Sequence, residues 1–229
     1  MEFPSYINQH GTLESAEPER MDWLWSQGWR HFGREFFRYN LSAAPDGSVQ
    51  RILPLRLVLD DFAPTKRQRR VIKKNADLTV EIDRATVNEA REALFLRHRE
   101  RFTSNIPESL RIFLPEEDPA SCPCECLEIR LIEKEKLLAV SYLDCGAEAV
   151  SSLYAMFEPE AAPRSPGIFT MLMEIAFARR TGRRFLYPGY ATLEPSHYDY
   201  KKSFAGLQAY DWPSGEWHPL SFFSNPPTP

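Results

Sequence analysis

Five stretches decide the fold: CLEIRLI (Cys126–Ile132), LLAVSYLD (Leu137–Asp144), VSSLYAMF (Val150–Phe157), RSPGIFTMLMEIAFARRTG (Arg164–Gly182) and RFLYPGY (Arg184–Tyr190). The first three are short, apolar and rich in β-formers, which predicts strands. A charged turn, Glu133 to Lys136, joins the first two, and Pro159 ends the third. In the fourth stretch Ile168, Leu172, Ile175 and Ala176 recur at helical spacing. Gly182 then stands where a helix needs a left-handed C′ residue. Arg184–Tyr190 returns to strand, His197–Phe204 reads as a short helix, and Leu207–Trp212 with Glu216–Leu220 forms a hairpin around Pro213-Ser214-Gly215.

Three antiparallel strands, a helix, a strand, a short helix and a hairpin follow the element order of an N-acetyltransferase-like (GNAT-like) α/β fold. Upstream, the chain is rich in aromatics (Trp23, Trp25, Trp29, Phe32, Phe36, Phe37, Tyr39), with an expected helix, turn and strand. Arg51–Leu59 reads as a strand, and Thr65 as the N-cap of a following helix. Leu78–Ile82 reads as another strand, and Asp83 or Thr86 as the cap of a helix over Val87–Phe102. A Pro/Glu/Asp/Ala loop over Leu114–Pro123 suggests an N-terminal α/β extension, residues 1–105, before the GNAT-like part, residues 106–229. The Pro-rich tail Asn225–Pro229 is expected to be disordered.

Composition narrows the class. With 229 residues, 43% hydrophobic and 26% charged, the chain can bury a substantial core. No apolar run approaches the roughly 20 residues of a membrane span, and residues 1–18 lack the pattern of a secretory signal. The four cysteines lie in the C-terminal half, which points to a reducing, cytoplasmic setting. Cys122, Cys124 and Cys126 are spaced too tightly for ordinary Cys-x-x-Cys chelation and no histidine adjoins them, so no metal is assigned. The net charge of −4 argues against coating nucleic acid indiscriminately.

Two segments carry chemistry. Arg164-Ser165-Pro166-Gly167 sits where a loop and helix N-terminus would present N–H groups to an anionic donor. It resembles the end of an acetyl-coenzyme A fingerprint, but Ile168 and Phe169 replace the small residues of the full pattern, so coenzyme A is poorly supported and no cofactor is assigned. Lys66, Arg67, Arg69, Arg70, Lys73 and Lys74 concentrate six cations in one short helix, with 66, 70, 73 and 74 on roughly one face. Such a face can track phosphates without reading bases.

The order of motifs from Gly28 to Trp217 resembles the bacterial aspartate/glutamate leucyltransferases and arginyl-tRNA–protein transferases. The carriers are GWRHFGREFFRYN, LPLRLVLDDFAPTKRQRRVIKKNADL, LLAVSYLD, SSLYAMFEP, RSPGIFTMLMEIAFARRTG, FLYPGY and YKKSF. The resemblance implies transfer of an amino acid, arginine or leucine, from aminoacyl-tRNA to the N-terminal amine of a protein or peptide, with no membrane or DNA partner. It implies that Asp144, Tyr154 and Tyr190 are catalytic, Asp144 holding an ammonium group and the two tyrosines lining the aminoacyl pocket. Arg164, Ser165, Gly167, Tyr187 and Tyr200 would bind substrate. Lys201 would join the six helix cations in contacting tRNA, and Glu174 would orient its neighbours. The family's N-terminal cysteines are missing: residues 40–51 read NLSAAPDGSVQR. That loss leaves the acceptor rule open and supports one rival, a non-catalytic tRNA- or partner-binding adaptor. An acyl-coenzyme A-dependent N-acyltransferase is the other. The five histidines suggest no hydrolytic arrangement.

Overall fold

The computed structural model describes residues 6–44, 46–102, 106–115 and 117–224; the tail expected to be disordered lies outside them. A small sheet is built from β1 (Asn8–Thr12), β2 (Arg30–Phe32) and β3 (Glu35–Tyr39) in the order β1-β3-β2. The large sheet has nine strands. Besides β4 (Leu41–Ala43), which pairs with β5 (Val49–Val58), these are β6 (Thr79–Arg84), β7 (Cys126–Glu133), β8 (Lys136–Cys145), β9 (Ala149–Phe157), β10 (Phe185–Thr192), β11 (Leu207–Asp211) and β12 (Glu216–Pro219). Their order is β12-β11-β5-β10-β9-β8-β7-β6. The strands read from sequence at β5 to β12 are all present, and the mixed α/β, GNAT-like arrangement follows from their order. β5 lies between β10 and β11 and β6 extends the far edge, so one sheet runs across the boundary expected near residue 105.

Helix α2 (Lys66–Lys74) begins at the expected cap: Thr65 Oγ1 accepts from the Gln68 amide, and Gln68 Oε1 accepts from the Thr65 amide. Helix α3 (Glu89–Arg99) starts later than expected. Its cap is Asn88, which accepts from the Arg91 amide, and neither Asp83 nor Thr86. The reason is local: Asp83 is committed to β6, and the Thr86 amide and hydroxyl donate to Glu128. Helix α4 (Pro166–Arg180) is the crossover between β9 and β10, closed by Gly182 at φ +77°. The segment after Ser196 is a 3-10 helix, His197–Ser203.

Apolar residues partition by face, as a period of two requires. Ala139, Leu143, Cys145, Val150 and Leu186 pack against Phe169, Leu172, Ile175 and Ala178 of α4 and Val71 of α2. On the opposite face Val140, Tyr142 and Met156 pack against Leu94 and Phe95 of α3 with Phe113. Helix α1 (Pro18–Ser26) covers the rest of that face with Met21, Leu24 and Trp25. Its Asp22 accepts the amides of Glu148 and Ala149, fixing α1 to the β8–β9 turn. A side chain at Gly146 would collide with that carboxylate, since its Cβ would stand 2.1 Å from Asp22 Oδ1. Among the described residues no helix is long and apolar enough to cross a membrane.

Candidate functional site

β9 and β10 run parallel, but pair only over Phe185–Tyr187 with Ala149–Ser151. Beyond Tyr187 a register irregularity spanning Pro188 turns β10 away, and it stays paired only with β5. The two strands therefore part toward their carboxyl ends, at the end of the sheet where α4 begins. In α/β sheets this is where ligands bind, because backbone groups and helix N-termini converge there without a neighbouring strand.

Three ionisable side chains meet in the split. Arg30, from β2 of the small sheet, donates from Nη1 to Ser151 Oγ and from Nη2 to the Ser152 carbonyl, each at 2.5 Å. Glu174 descends from α4 and accepts from Ser141 Oγ at 2.6 Å and from Ser152 Oγ in a shorter bond. Lys201, from the 3-10 helix, turns its ammonium inward, 3.4 Å from the Tyr190 carbonyl. Gly189, at φ +90°, lies between the two cations: a Cβ there would stand 3.4 Å from both Arg30 Nη2 and Lys201 Nζ. Tyr190 donates to the Gly28 carbonyl at 2.7 Å and so ties β10 to the segment carrying Arg30.

Burial governs the electrostatics. Desolvation pushes Glu174 up to about 7 against the opposing pull of its two serine donors, Lys201 and Arg30. Desolvation, with Arg30 adding repulsion, brings Lys201 down to about 7. Arg30 is also lowered by desolvation, yet a guanidinium keeps its proton. Among the described residues no carboxylate is within ion-pair distance of Arg30. Arg30 stays positive, whereas Glu174 and Lys201 both titrate near neutrality, so the net charge of the three groups falls as pH rises through about 7.

The residues expected from sequence scatter around this split. Tyr190 and Lys201 are in it, and Lys201 is thereby separated from the other expected tRNA contacts. Asp144 is 1% exposed and faces His31, Nε2 to Oδ2 at 3.0 Å, and its charge also acts on Arg30. Tyr154 stacks on Phe113 at 4.1 Å on the α3 face, and a chain of ring contacts through Phe32 and Phe37 leads from there to Tyr190. Tyr187 is buried beside Trp25 and Trp217, its hydroxyl pushed up to about 12 by desolvation. Arg164 binds Asp77 and Glu133, so its charge is engaged away from the α4 N-terminus. Ser165 is the left-handed N-cap of α4, with no side-chain cap bond, and Gly167 lies in the first turn. Tyr200 is at the surface, 37% exposed.

Arg30, Ser141, Ser151 and Ser152 were not singled out from sequence, although Arg30 stands inside the quoted GWRHFG motif. Two consecutive serines in an otherwise apolar strand, and one carboxylate in the apolar stripe of α4, were the available signals. On α2, Gln68 and Val71 face inward while Lys66, Arg67, Arg69, Arg70, Lys73 and Lys74 are exposed. Among the described residues Lys66, Arg67, Arg70 and Lys73 have no carboxylate partner. Lys74 donates to the Pro163 carbonyl and Asn75 to that of Arg164, which anchors the basic helix to the segment leading into α4.

The profile of the family described as "Arginine-tRNA-protein transferase, C terminus" matches residues 85–211. An aspartate/glutamate leucyltransferase of Stenotrophomonas maltophilia (strain K279a) is 32% identical over 179 residues, 74% of this chain and 69% of that protein. One from Leptospira interrogans serogroup Icterohaemorrhagiae serovar copenhageni is 26% identical over 204 residues, 85% of this chain and 76% of that protein. Among solved structures, L-PGS from Bacillus licheniformis aligns with a TM-score of 0.45 at 12% identity, over 81% of this chain and 53% of its own. FemX aligns with a TM-score of 0.46 at 14% identity, over 84% of this chain. The chain spans about half of the first of these structures and 65% of the second.

Proposed function

The chain belongs to the arginine-tRNA–protein transferase family, and on that premise we propose that it moves leucine from leucyl-tRNA to the amino terminus of polypeptides that begin with Asp or Glu. The observation that carries the acceptor choice is the pair of cationic side chains, Arg30 and Lys201, converging beside Gly189 where β9 and β10 part. Asp144 and Glu174 act on Arg30 only at a distance, and a side-chain carboxylate one residue-length from the reacting amine would give it a contact partner. The same cations repel a guanidinium, which favours leucine over arginine as the donated residue. The names of the relatives, aspartate/glutamate leucyltransferases, agree with both choices.

The chemistry asks little of the protein beyond placement. The acceptor α-amine has an ordinary pKa of about 7.7–8.0, so a usable fraction is neutral near pH 7. Its nitrogen attacks the ester carbonyl carbon, the C–O bond to the ribose breaks, and the ribose oxygen takes a proton as it leaves. Glu174 and Lys201, both titrating near neutrality, can accept the proton released by the amine and return one to the leaving oxygen. Arg30 and Lys201 provide cationic stabilisation near the developing oxyanion. The exposed cations of α2, fixed beside the start of α4, would hold the tRNA backbone.

The test is transfer of labelled leucine or arginine from charged tRNA to peptides differing only in the first residue. Leucine transfer to Asp and Glu peptides should exceed that to Ala peptides by about 100-fold in kcat/KM, which corresponds to about 2.7 kcal/mol. Glutamates at Lys66, Arg67, Arg70 and Lys73 should weaken tRNA binding and flatten its salt dependence. No transfer from any charged tRNA, with tRNA binding retained, would replace this reading by the adaptor. Coenzyme A-dependent acylation would replace it by the acyltransferase.

A further inference from the structure

We propose that His31 Nε2, Cys124 Sγ and the Asp144 carboxylate form a buried site for a divalent transition-metal ion, zinc by the chemistry of the donors. The three ligand atoms lie within 4.8 Å of one another, and the residues are 2%, 4% and 1% exposed. They come from three separate segments: β2 of the small sheet, the loop before β7, and the end of β8. Spacing in the sequence gave no hint of this set, because the histidine stands far upstream of the cysteine.

His31 is oriented for coordination. Its Nδ1 lies 2.9 Å from the Gly33 carbonyl, which can only accept, so Nδ1 carries a hydrogen. That leaves Nε2 to supply the lone pair, the arrangement that second-shell carbonyls impose on metal-bound imidazoles. Nε2 and the Asp144 oxygen then face each other at 3.0 Å as two acceptors. Something positive belongs between them, either an extra proton or a metal ion. The adjacent thiol discriminates between the two. Cys124 has no function in a proton-bridged pair, whereas a divalent ion with one thiolate and one carboxylate makes a neutral site suited to apolar surroundings. Mixed sulfur, nitrogen and oxygen donors in this number suit zinc. Cys126, buried two residues on and with its thiol also facing Asp144, or a water, would take the fourth position.

The ion would fasten the small sheet to the large one. His31 follows Arg30 on β2, and successive side chains point to opposite sides, so a clamp on His31 also fixes the guanidinium in the β9–β10 split.

Metal analysis of the full chain after gel filtration in zinc-containing buffer should give about one zinc per chain. His31→Gln and Cys124→Ser should lose it, while Cys145→Ser, on the α4 face, should retain it. Replacement of zinc by cobalt in the unmutated protein should produce a thiolate-to-cobalt charge-transfer band, which keeps the test valid if either variant fails to fold. Substoichiometric zinc with no cobalt band overturns the proposal, as does full zinc retention in both ligand variants.

Discussion

Two arginines are buried against the same face of the large sheet, and their surroundings move them in opposite directions. Arg91 of α3 is 8% exposed and meets Glu128 of β7 in a two-pronged pair, 2.5 and 3.3 Å. Desolvation opposes its charge, but the hydrogen bonds and charge of Glu128 outweigh that, and its pKa rises. Arg30 is 9% exposed and donates only to a serine hydroxyl and a carbonyl. No carboxylate touches it among the described residues, desolvation dominates, and its pKa falls. A matched buried cation is structural bracing. One without a carboxylate in contact, at the place where two strands part, is the group the proposed function assigns to an acidic acceptor.

The largest expected effect breaks the matched pair. Glu128→Ala strands the Arg91 charge in the interior and also removes the acceptor of the Thr86 amide and hydroxyl. Stability should fall by about 3–5 kcal/mol in denaturant titration. Transfer per folded molecule should be unchanged, and a loss confined to activity would show that Arg91 belongs to the site. Arg30→Met should behave in the opposite sense. Replacing an unmatched buried charge by an apolar chain of similar length should leave stability unchanged or raised by about 1 kcal/mol. Transfer to acidic-terminus peptides should drop by about 100-fold in kcat/KM, about 2.7 kcal/mol, and transfer to Ala peptides by much less. Equal losses on both peptides would remove Arg30 from acceptor recognition.

This contrast also marks what the sequence could and could not disclose. Elements with a local cause were legible: the β-forming runs of β7 and β8 around their charged turn, the Thr65 cap, the α4 periodicity and Gly182. The α3 cap was misplaced because the competition between Asp83, Thr86 and Asn88 is settled by strand β6 and Glu128, which lie far away in the chain. The split was invisible for a similar reason. It is made by Arg30, Ser152, Glu174 and Lys201, spread over more than 170 positions of sequence, and each alone reads as an ordinary polar residue. Tyr190 and Lys201 emerged through family resemblance, whereas the environment of Asp144 depended on His31, a residue with no sequence signature.

A final effect concerns how the site's own acid and base respond to pH. Glu174 ionises at about 7 in the folded protein, above its ordinary 4.5. Between those values the folded state holds a proton that the unfolded state has released, so stability falls as pH rises from about 4.5 to about 7. Lys201 is lowered from 10.5 to about 7. From there upward the unfolded chain binds the extra proton, so stability rises with pH. The two groups together should place a minimum of stability near pH 7, where a purely structural core has none. Glu174→Gln removes the falling limb and leaves the rising one, which melting temperatures measured from pH 5 to pH 9 will register. The Arg91–Glu128 side supplies the control, because Tyr142 beside that pair titrates far above this range. A minimum that survives in Glu174→Gln would assign it to groups outside the split, and with it the claim that the split holds an acid and a base poised near neutrality would fall.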